Sequence, residues 1–393
     1  MKSIQSKDLD INQKKILIRL DLNVPLDGKN IIDTNRIDKI IPTLKYLLKS
    51  NAKIIIVSHI GRPKGKFVSD LSLKPVCVEL VKKLNQDIKF VEYGIDKVEV
   101  DKLFNSKTNI IMLENIRFFK EEENDDINFA KSLASLADIY VNEAFSCSHR
   151  KHASVHSITN FIPSYSGIQL ETEVNSLKKI ILNIKRPISC IIGGSKISTK
   201  ISVIKNLINK LDNIIFVGGM ANSVLKFKNY EIGKSIYEKN SNDIISEIFN
   251  LSKKSSCKIF FPLDVSTAKN KDEKSTIKDL RDMCSDDIIL DIGPETINLI
   301  KNIINNSSTI LWNGPAGYFE NPEFSKGSRE IANQIVSRKR ESKIYCVSGG
   351  GDTVAVLNNF GLTKDFDFVS TAGGAFLEFL EGKELPGIKA LNL

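Results

Sequence analysis

The chain has 393 residues, 41% of them hydrophobic and 26% charged; this excludes a disordered or collagen-like polypeptide and exceeds what one hydrophobic core usually supports. No run reaches the roughly 18 apolar residues that span a bilayer, and the first 15 residues lack an apolar stretch behind a basic start, so the expectation is a soluble, cytoplasmic protein. Lys and Arg outnumber Asp and Glu by 56 to 47, a net charge of +9, but the excess is mostly Lys scattered along the chain, which reads as a solvated surface and not as a nucleic-acid footprint.

The recurring unit is a short β-branched run, a polar or Gly-rich turn, and a longer segment with helical apolar spacing. Strands are predicted at 15–20, 53–57, 109–113 and 138–141, and then at 189–192, 213–217, 258–261, 288–291, 309–312, 344–347 and 366–369. Continuous apolar runs such as Ile54-Ile55-Ile56-Val57 suit strands buried on both faces. Alternation with helices predicts α/β architecture: two doubly wound parallel-sheet, Rossmann-like domains joined by a hinge helix. The expected division is an N-terminal domain over 1–165, an interdomain helix and hinge over 166–186, a C-terminal domain over 187–380, and a tail over 381–393 returning toward the N-terminal domain. The six cysteines stand singly, without a CxxC pair or a Cys/His cluster, which suits reduced thiols and not a disulfide framework or zinc site.

Ligands of open α/β sheets bind beyond the carboxyl ends of the strands. In the first domain those turns carry Arg19-Leu20-Asp21-Leu22-Asn23, where alternation places Arg19, Asp21 and Asn23 on one face. They also carry His59-Ile60-Gly61-Arg62, Arg117 after the third strand, and Ser148-His149-Arg150 after the fourth. Arg62, Arg117, Arg150 and Arg36, four arginines, converge on one sheet edge, and guanidinium forks match phosphate and carboxylate. All four histidines lie in this domain, without the compact spacing that a metal site needs.

In the second domain, the turn Gly193-Gly194-Ser195-Lys196-Ile197-Ser198-Thr199-Lys200 is not a Walker A loop. It is read as a strand–helix turn whose two lysines, one helical turn apart, present charge to phosphates. Gly218-Gly219, Asp291-Ile292-Gly293-Pro294, Trp312-Asn313-Gly314-Pro315, Gly349-Gly350-Gly351-Asp352-Thr353 and Ala372-Gly373-Gly374 then place glycine-rich backbone at almost every strand end of one sheet. Asp352, opening a helix after three glycines, suits a magnesium carboxylate. No GxGxxG fingerprint supports a dehydrogenase.

The ordered set RLDLNVP, SHIGRP, LENIRF, HRKHAS, GGSKISTK, LDIGP, WNGPAGYFE, GGGDT and STAGGAFLEFLEGKELPG resembles the phosphoglycerate kinases, essentially end to end. The resemblance implies monomeric, hinge-closing enzymes that transfer a phosphoryl group reversibly between 1,3-bisphosphoglycerate and ADP, giving 3-phosphoglycerate and ATP, with Mg2+. It implies glycerate binding by Asp21 and Asn23, Arg36 near the reacting carboxyl, and a basic patch of His59, Arg62, Arg117 and Arg150 for the non-transferred phosphate. On the nucleotide side it implies Lys196 on the transferring phosphoryl, Lys200 and Asn313 on the phosphates, Glu320 on the ribose and Asp352 on the metal. Gly193, Gly194, Gly218, Gly350, Gly351 and Thr353 are implied to line the nucleotide, and Gly373 and Gly374 to donate backbone N–H groups in the closed state. Thr199 and Ala372 depart from the Asp and Gly of many family members. The alternative of another class is a non-catalytic, nucleotide-sensing binding protein, which would require losses at Arg36, Lys196 or Asp352.

Overall fold

The computed structural model describes residues 1–92, 99–104, 108–182, 185–341 and 343–392. They fall into two compact units, Met1–Asn175 with Glu384–Leu393, and Ser176–Lys383. Helix Ile168–Leu182 runs across the change of unit. Residues 183 and 184 of the expected hinge, and Leu393 of the expected tail, lie outside the described residues.

In the first unit the strands are β1 (Lys15–Arg19), a small hairpin β2 (Leu26–Asp27) and β3 (Asn30–Ile31), β4 (Lys53–Val57), β5 (Ile88–Val91), β6 (Ile110–Leu113), β7 (Ile139–Asn142) and β8 (Ser164–Ser166). Six of them form one parallel sheet in the order β5-β6-β4-β1-β7-β8. The apolar residues of β1, β4 and β6 are buried on both faces, which is why they read as unbroken Ile/Leu runs. Ile16, Ile18, Ile54 and Ile56 pack with Leu44, Leu47, Val76 and Leu80 of helices Asn35–Lys49 and Lys74–Leu84. The C-terminal segment belongs to this unit, where Gly387 N donates to Ser148 O at 2.8 Å.

The second unit contains β9 (Ile188–Ile192), β10 (Asn213–Phe216), β11 (Lys258–Phe260), β12 (Asp264–Ala268), β13 (Thr276–Asp279), β14 (Ile288–Ile292), β15 (Thr309–Asn313), β16 (Tyr345–Gly349) and β17 (Phe368–Ser370). The parallel sheet runs β11-β10-β9-β15-β16-β17. One expectation is corrected here. The strand predicted at 288–291 forms as β14, but it pairs antiparallel with β12 in a separate sheet ordered β13-β12-β14. β13 is mostly exposed, as an antiparallel sheet allows, so neither its composition nor its burial resembles the central strands. Asp291-Ile292-Gly293-Pro294 therefore leaves the small sheet, and the Asp264 carboxylate caps the helix that follows by accepting from Glu295 N and Thr296 N at 3.0 and 2.8 Å.

In each sheet the strand order reverses around the first strand of the unit, β1 or β9. The turns after these strands and their neighbours converge at that switch point. No helix among the described residues is long and apolar enough to cross a membrane.

Candidate functional site

At the switch point of the first unit the organising group is Arg19, at the end of β1 and fully buried. Its Nε donates to Ser154 Oγ at 2.8 Å, Nη1 to the Leu20 carbonyl at 2.5 Å and Nη2 to His59 Nδ1 at 3.1 Å. Glu122, also fully buried, lies 3.9 Å from Nη2 and accepts from Ser154 N and Oγ at 2.9 and 2.7 Å. A guanidinium only donates, so His59 Nδ1 is an acceptor and its ring proton sits on Nε2. Burial, and then the charges of Arg19, Arg117 and Arg36, hold the His59 pKa well below its ordinary value. His59 is thus a neutral N–H donor within a cationic setting.

Arg117 is 4% exposed and donates from Nη1 to the Gly61 carbonyl at 2.8 Å, while its buried Nε makes no hydrogen bond and forms an ion pair with Glu123 Oε1, 3.4 Å away. His152 Nδ1 is likewise buried without a hydrogen bond, and burial together with Arg19, Arg117 and Arg150 lowers its pKa to about 3. Arg36, in the first turn of its helix, places Nη1 2.8 Å from both Asp21 oxygens, and Ser146 Oγ donates to Asp21 at 2.5 Å. Arg19, Arg36 and Arg117 gathered around the neutral imidazole N–H of His59 describe a seat for an anion. A larger groove of about 950 Å3 in this unit, beside Lys29, Lys74 and Val78, is lined by none of these residues.

The second unit holds a cleft of about 440 Å3, lined by Gly194, Gly218 and Gly219, by Ile236, Ile289 and Leu290, and by Tyr318, Glu320 and Asp352. The turns next to it are close-packed. Gly314 has φ +115°, and a side chain there would enter the Gly193 backbone; Gly350 has φ +95°, and a Cβ there would stand 2.6 Å from Asn313 Nδ2. Gly314 N donates to Thr353 Oγ1 at 2.7 Å and Asn313 Nδ2 to the Gly349 carbonyl at 2.5 Å, which ties the turn after β15 to the turn after β16. Lys200 Nζ donates to the carbonyls of Gly193 and Asn313, the latter at 3.0 Å. Burial lowers its pKa to about 8 against the opposing pull of Cys190 and Asp352.

A family model described as phosphoglycerate kinase matches residues 6–383. The chain belongs to the phosphoglycerate kinase family. It is 44% identical over 385 residues to the phosphoglycerate kinase of Wolbachia pipientis from Culex pipiens, with 97% of each chain covered. Identity is 45% over 391 residues to that of Dictyoglomus turgidum, covering 98% of this chain and 97% of that one. The phosphoglycerate kinase structure from Coxiella burnetii superposes with a TM-score of 0.88 at 37% identity, covering 98% of this chain and 97% of that chain. The structure from Pyrococcus horikoshii gives 0.84 at 27% identity, covering 100% and 98%.

Within this phosphoglycerate kinase fold, the residues singled out from sequence are placed unevenly. His59, Arg117, Arg36 and Arg150 come close enough to perturb one another or a shared neighbour. Arg62 is exposed and, among the described residues, makes no hydrogen bond or ion pair. Asn23 Oδ1 is engaged by Gly61 N at 2.9 Å, which braces the turn that carries Arg62. Asp21 is held by Arg36 and Ser146, so its carboxylate orients a guanidinium. In the second unit the two lysines are not a helical pair. The helix starts only at Ile201, Lys196 is exposed, and Lys200 is turned inward onto carbonyls. Thr353 is 1% exposed and its hydroxyl is spent on backbone, so it stitches turns together instead of facing the cleft. Gly373 and Gly374 open helix Gly373–Leu380, with Ala372 buried before them. Thr199 Oγ1 donates back to the Lys196 carbonyl at 2.8 Å.

Several residues of the two sites take roles that the sequence does not show. Arg19 shares the alternation with Asp21 and Asn23, but nothing in that pattern marks it as the centre of a network. Glu122 and Ser154 join it from 103 and 135 positions away in sequence. Glu238 accepts from Ser198 N at 2.9 Å and steadies the loop of Lys196. Asp291 accepts from Ile292 N and Gly327 N at 2.9 and 2.7 Å beneath the cleft, and burial pushes its carboxyl up to about 7.

Proposed function

We propose that the buried cationic cluster of the first unit binds the phosphoglycerate ligand and that the glycine-lined cleft of the second binds ADP or ATP. On this reading the chain performs the family's reversible phosphoryl transfer from 1,3-bisphosphoglycerate to ADP, giving 3-phosphoglycerate and ATP. The observation that carries the reading is the pairing, in one chain of this family, of arginines gathered around a neutral histidine at one switch point and a glycine-lined cleft bearing Asp352 at the other.

The acceptor oxygen is already an anion, a carboxylate in one direction and an ADP phosphate in the other, so no general base is needed. Catalysis reduces to positioning and to neutralising charge on the moving group. Arg117 and the Nε2–H of His59 grip the non-transferred phosphate, with Arg62 and Arg150 closing on it from the rim. Arg36, aimed by Asp21, meets the carboxyl end, and Asn23 sets the turn beside it. Lys196 follows the transferring phosphoryl, and Lys200 adds charge beneath the nucleotide phosphates. Glu320, exposed at the cleft rim, suits the ribose hydroxyls. The first N–H groups of helix Gly373–Leu380, at Gly373 and Gly374, lack intrahelical acceptors and suit a phosphoryl oxygen.

Asp352 fits a magnesium ion carried on the nucleotide. It lies in the first turn of helix Gly351–Asn359 and lines the cleft, and among the described residues its carboxylate has no hydrogen bond or ion pair. The ion would add positive charge beside the phosphates. We further infer a cytoplasmic monomer working on small molecules and not on nucleic acid. The non-catalytic alternative is not favoured, since Arg36, Lys196 and Asp352 are all present. A coupled assay of ATP formation from 1,3-bisphosphoglycerate and ADP tests the reading; purified, folded protein that forms no ATP would sink it.

A further inference from the structure

Besides its glycines, the cleft has an apolar part to its lining. Ile236 comes from the segment that follows Gly233, and Ile289 and Leu290 from β14. The two stretches are joined where Ile289 N donates to Ser235 Oγ at 2.7 Å. Lys234, Lys271 and Asp291 also line the cleft, and one uncharged amide stands with them. Asn222, one turn into helix Gly218–Phe227, lines the cleft and is 3% exposed. Its Nδ2 donates to the Ile236 carbonyl at 3.0 Å. A carbonyl accepts and never donates, so this bond fixes which way the amide is turned. The other end, Oδ1, is buried and has no hydrogen-bond partner. An acceptor desolvated in that way is unfavourable until something donates to it.

We propose that Asn222 Oδ1 accepts from the exocyclic amine of the nucleotide base and thereby selects a 6-aminopurine over a 6-oxopurine. The proposal rests on the reading of this cleft as the nucleotide site. The apolar part of the lining suits the face of any purine, so discrimination must come from a polar group at the base edge. Adenine offers an N–H donor at position 6, whereas guanine and hypoxanthine offer a carbonyl oxygen there. Against an oxygen, Asn222 Oδ1 stays unpaired and faces a second lone pair. The amide cannot turn to offer Nδ2 without abandoning the Ile236 carbonyl. A site built to hydrogen-bond a substrate group rejects the analogue lacking it far more strongly than an apolar pocket does.

The test compares kcat/KM for ADP and for inosine diphosphate, which differ at position 6 of the base, in the parent chain and in Asn222→Leu. The parent is expected to favour ADP by roughly tenfold or more, and Asn222→Leu to bring the two nucleotides to within about threefold of each other. Taking the ratio removes any loss of folded protein, which lowers both values alike; Asn222→Ala, which removes the acceptor without adding bulk, serves if the leucine variant does not fold. Equal use of both nucleotides by the parent overturns the proposal. So does discrimination that survives in the variants, which would mean that Oδ1 is satisfied by structural water only. Asp352→Ala and Glu320→Gln separate the two levels. If neither changes the KM for ADP, the cleft is not the nucleotide site and the proposal falls with that reading. If they raise it while discrimination is unaffected by Asn222, only the proposal falls.

Discussion

The two units share a parallel-sheet plan and place their sites at the same topological position, yet they build them from opposite materials. The first relies on side chains: buried guanidiniums and a neutral imidazole, held in place by Glu122, Ser154 and one another. The second relies largely on main chain: glycine turns packed so closely that several positions have no room for a Cβ. A charge held in a desolvated network depends on its partners and on geometry. A backbone cradle depends on conformation and on empty space. The two sites should therefore fail in different ways.

The largest expected effect is in the first unit. Arg19→Met removes one buried charge and strands Glu122, which should cost about 3–5 kcal/mol of stability, as for breaking a buried ion pair from one side. Arg19→Lys should not rescue it, because an ammonium cannot reach Ser154, Leu20 and His59 together. Urea unfolding monitors both. A Met variant as stable as the parent would mean that the network does not organise this unit.

Lys196→Ala should come next, lowering kcat by roughly 10²–10³, the range for one preorganised electrostatic donor. Because Lys196 is exposed, stability should barely move. Retention of more than half the parent kcat would remove its assigned role.

Within the glycine turns a contrast sharpens the comparison. Gly314→Ala forces a side chain into the Gly193 backbone at φ +115°, with an expected loss of about 1–3 kcal/mol in stability and weaker ADP binding. At Gly351, by contrast, a Cβ would meet no atom within 4 Å. Gly351→Ala should leave stability within about 0.5 kcal/mol, so that any loss of ADP affinity reports contact with the ligand alone. Thermal melts and ADP titrations of the pair decide it, and equal destabilisation of both would contradict the packing argument.

The smallest effect is a pH dependence. With its pKa lowered to about 8, Lys200 is charged at neutral pH and loses its proton as pH rises through 8. Bound phosphate favours the charged form, so ADP affinity should fall between pH 7 and 9 by up to about tenfold. Over the same range 3-phosphoglycerate affinity should stay flat, because guanidiniums keep their charge there and His59 is already neutral. The folded state, holding fewer protons than the unfolded chain between about pH 8 and the ordinary lysine pKa of 10.5, should gain stability from this group as pH rises. An ADP affinity unchanged up to about pH 9 would place the Lys200 charge outside the nucleotide's reach.

Much of this organisation is legible in sequence, for physical reasons. Strands buried on both faces must be continuously apolar, so β1, β4, β6, β9 and β10 announce themselves. β5 alternates with an exposed Lys89 at the sheet edge, β8 is the three polar-to-aromatic residues Ser164-Tyr165-Ser166, and β12 is small and polar; none carries that signal. Turns after strands could be found because chemistry-bearing residues are concentrated there. What sequence order does not reveal is who pairs with whom: that Arg19 is the hub of the first site, that Asp21 is spent on Arg36, that Thr353 fastens Gly314, or that Lys200 bends back onto carbonyls while Lys196 does not. These follow from contacts between segments far apart in the chain.

The division of labour between the two units is tested most directly by calorimetric titration of 3-phosphoglycerate and of ADP against Arg150→Lys and Asp352→Ala. Arg150→Lys should weaken 3-phosphoglycerate and leave ADP unchanged, since a point charge replaces a fork at the cationic cluster. Asp352→Ala should weaken ADP in the presence of magnesium and leave 3-phosphoglycerate unchanged. Either variant weakening both ligands equally, or the pattern reversed, would contradict the assignment of one ligand to each unit.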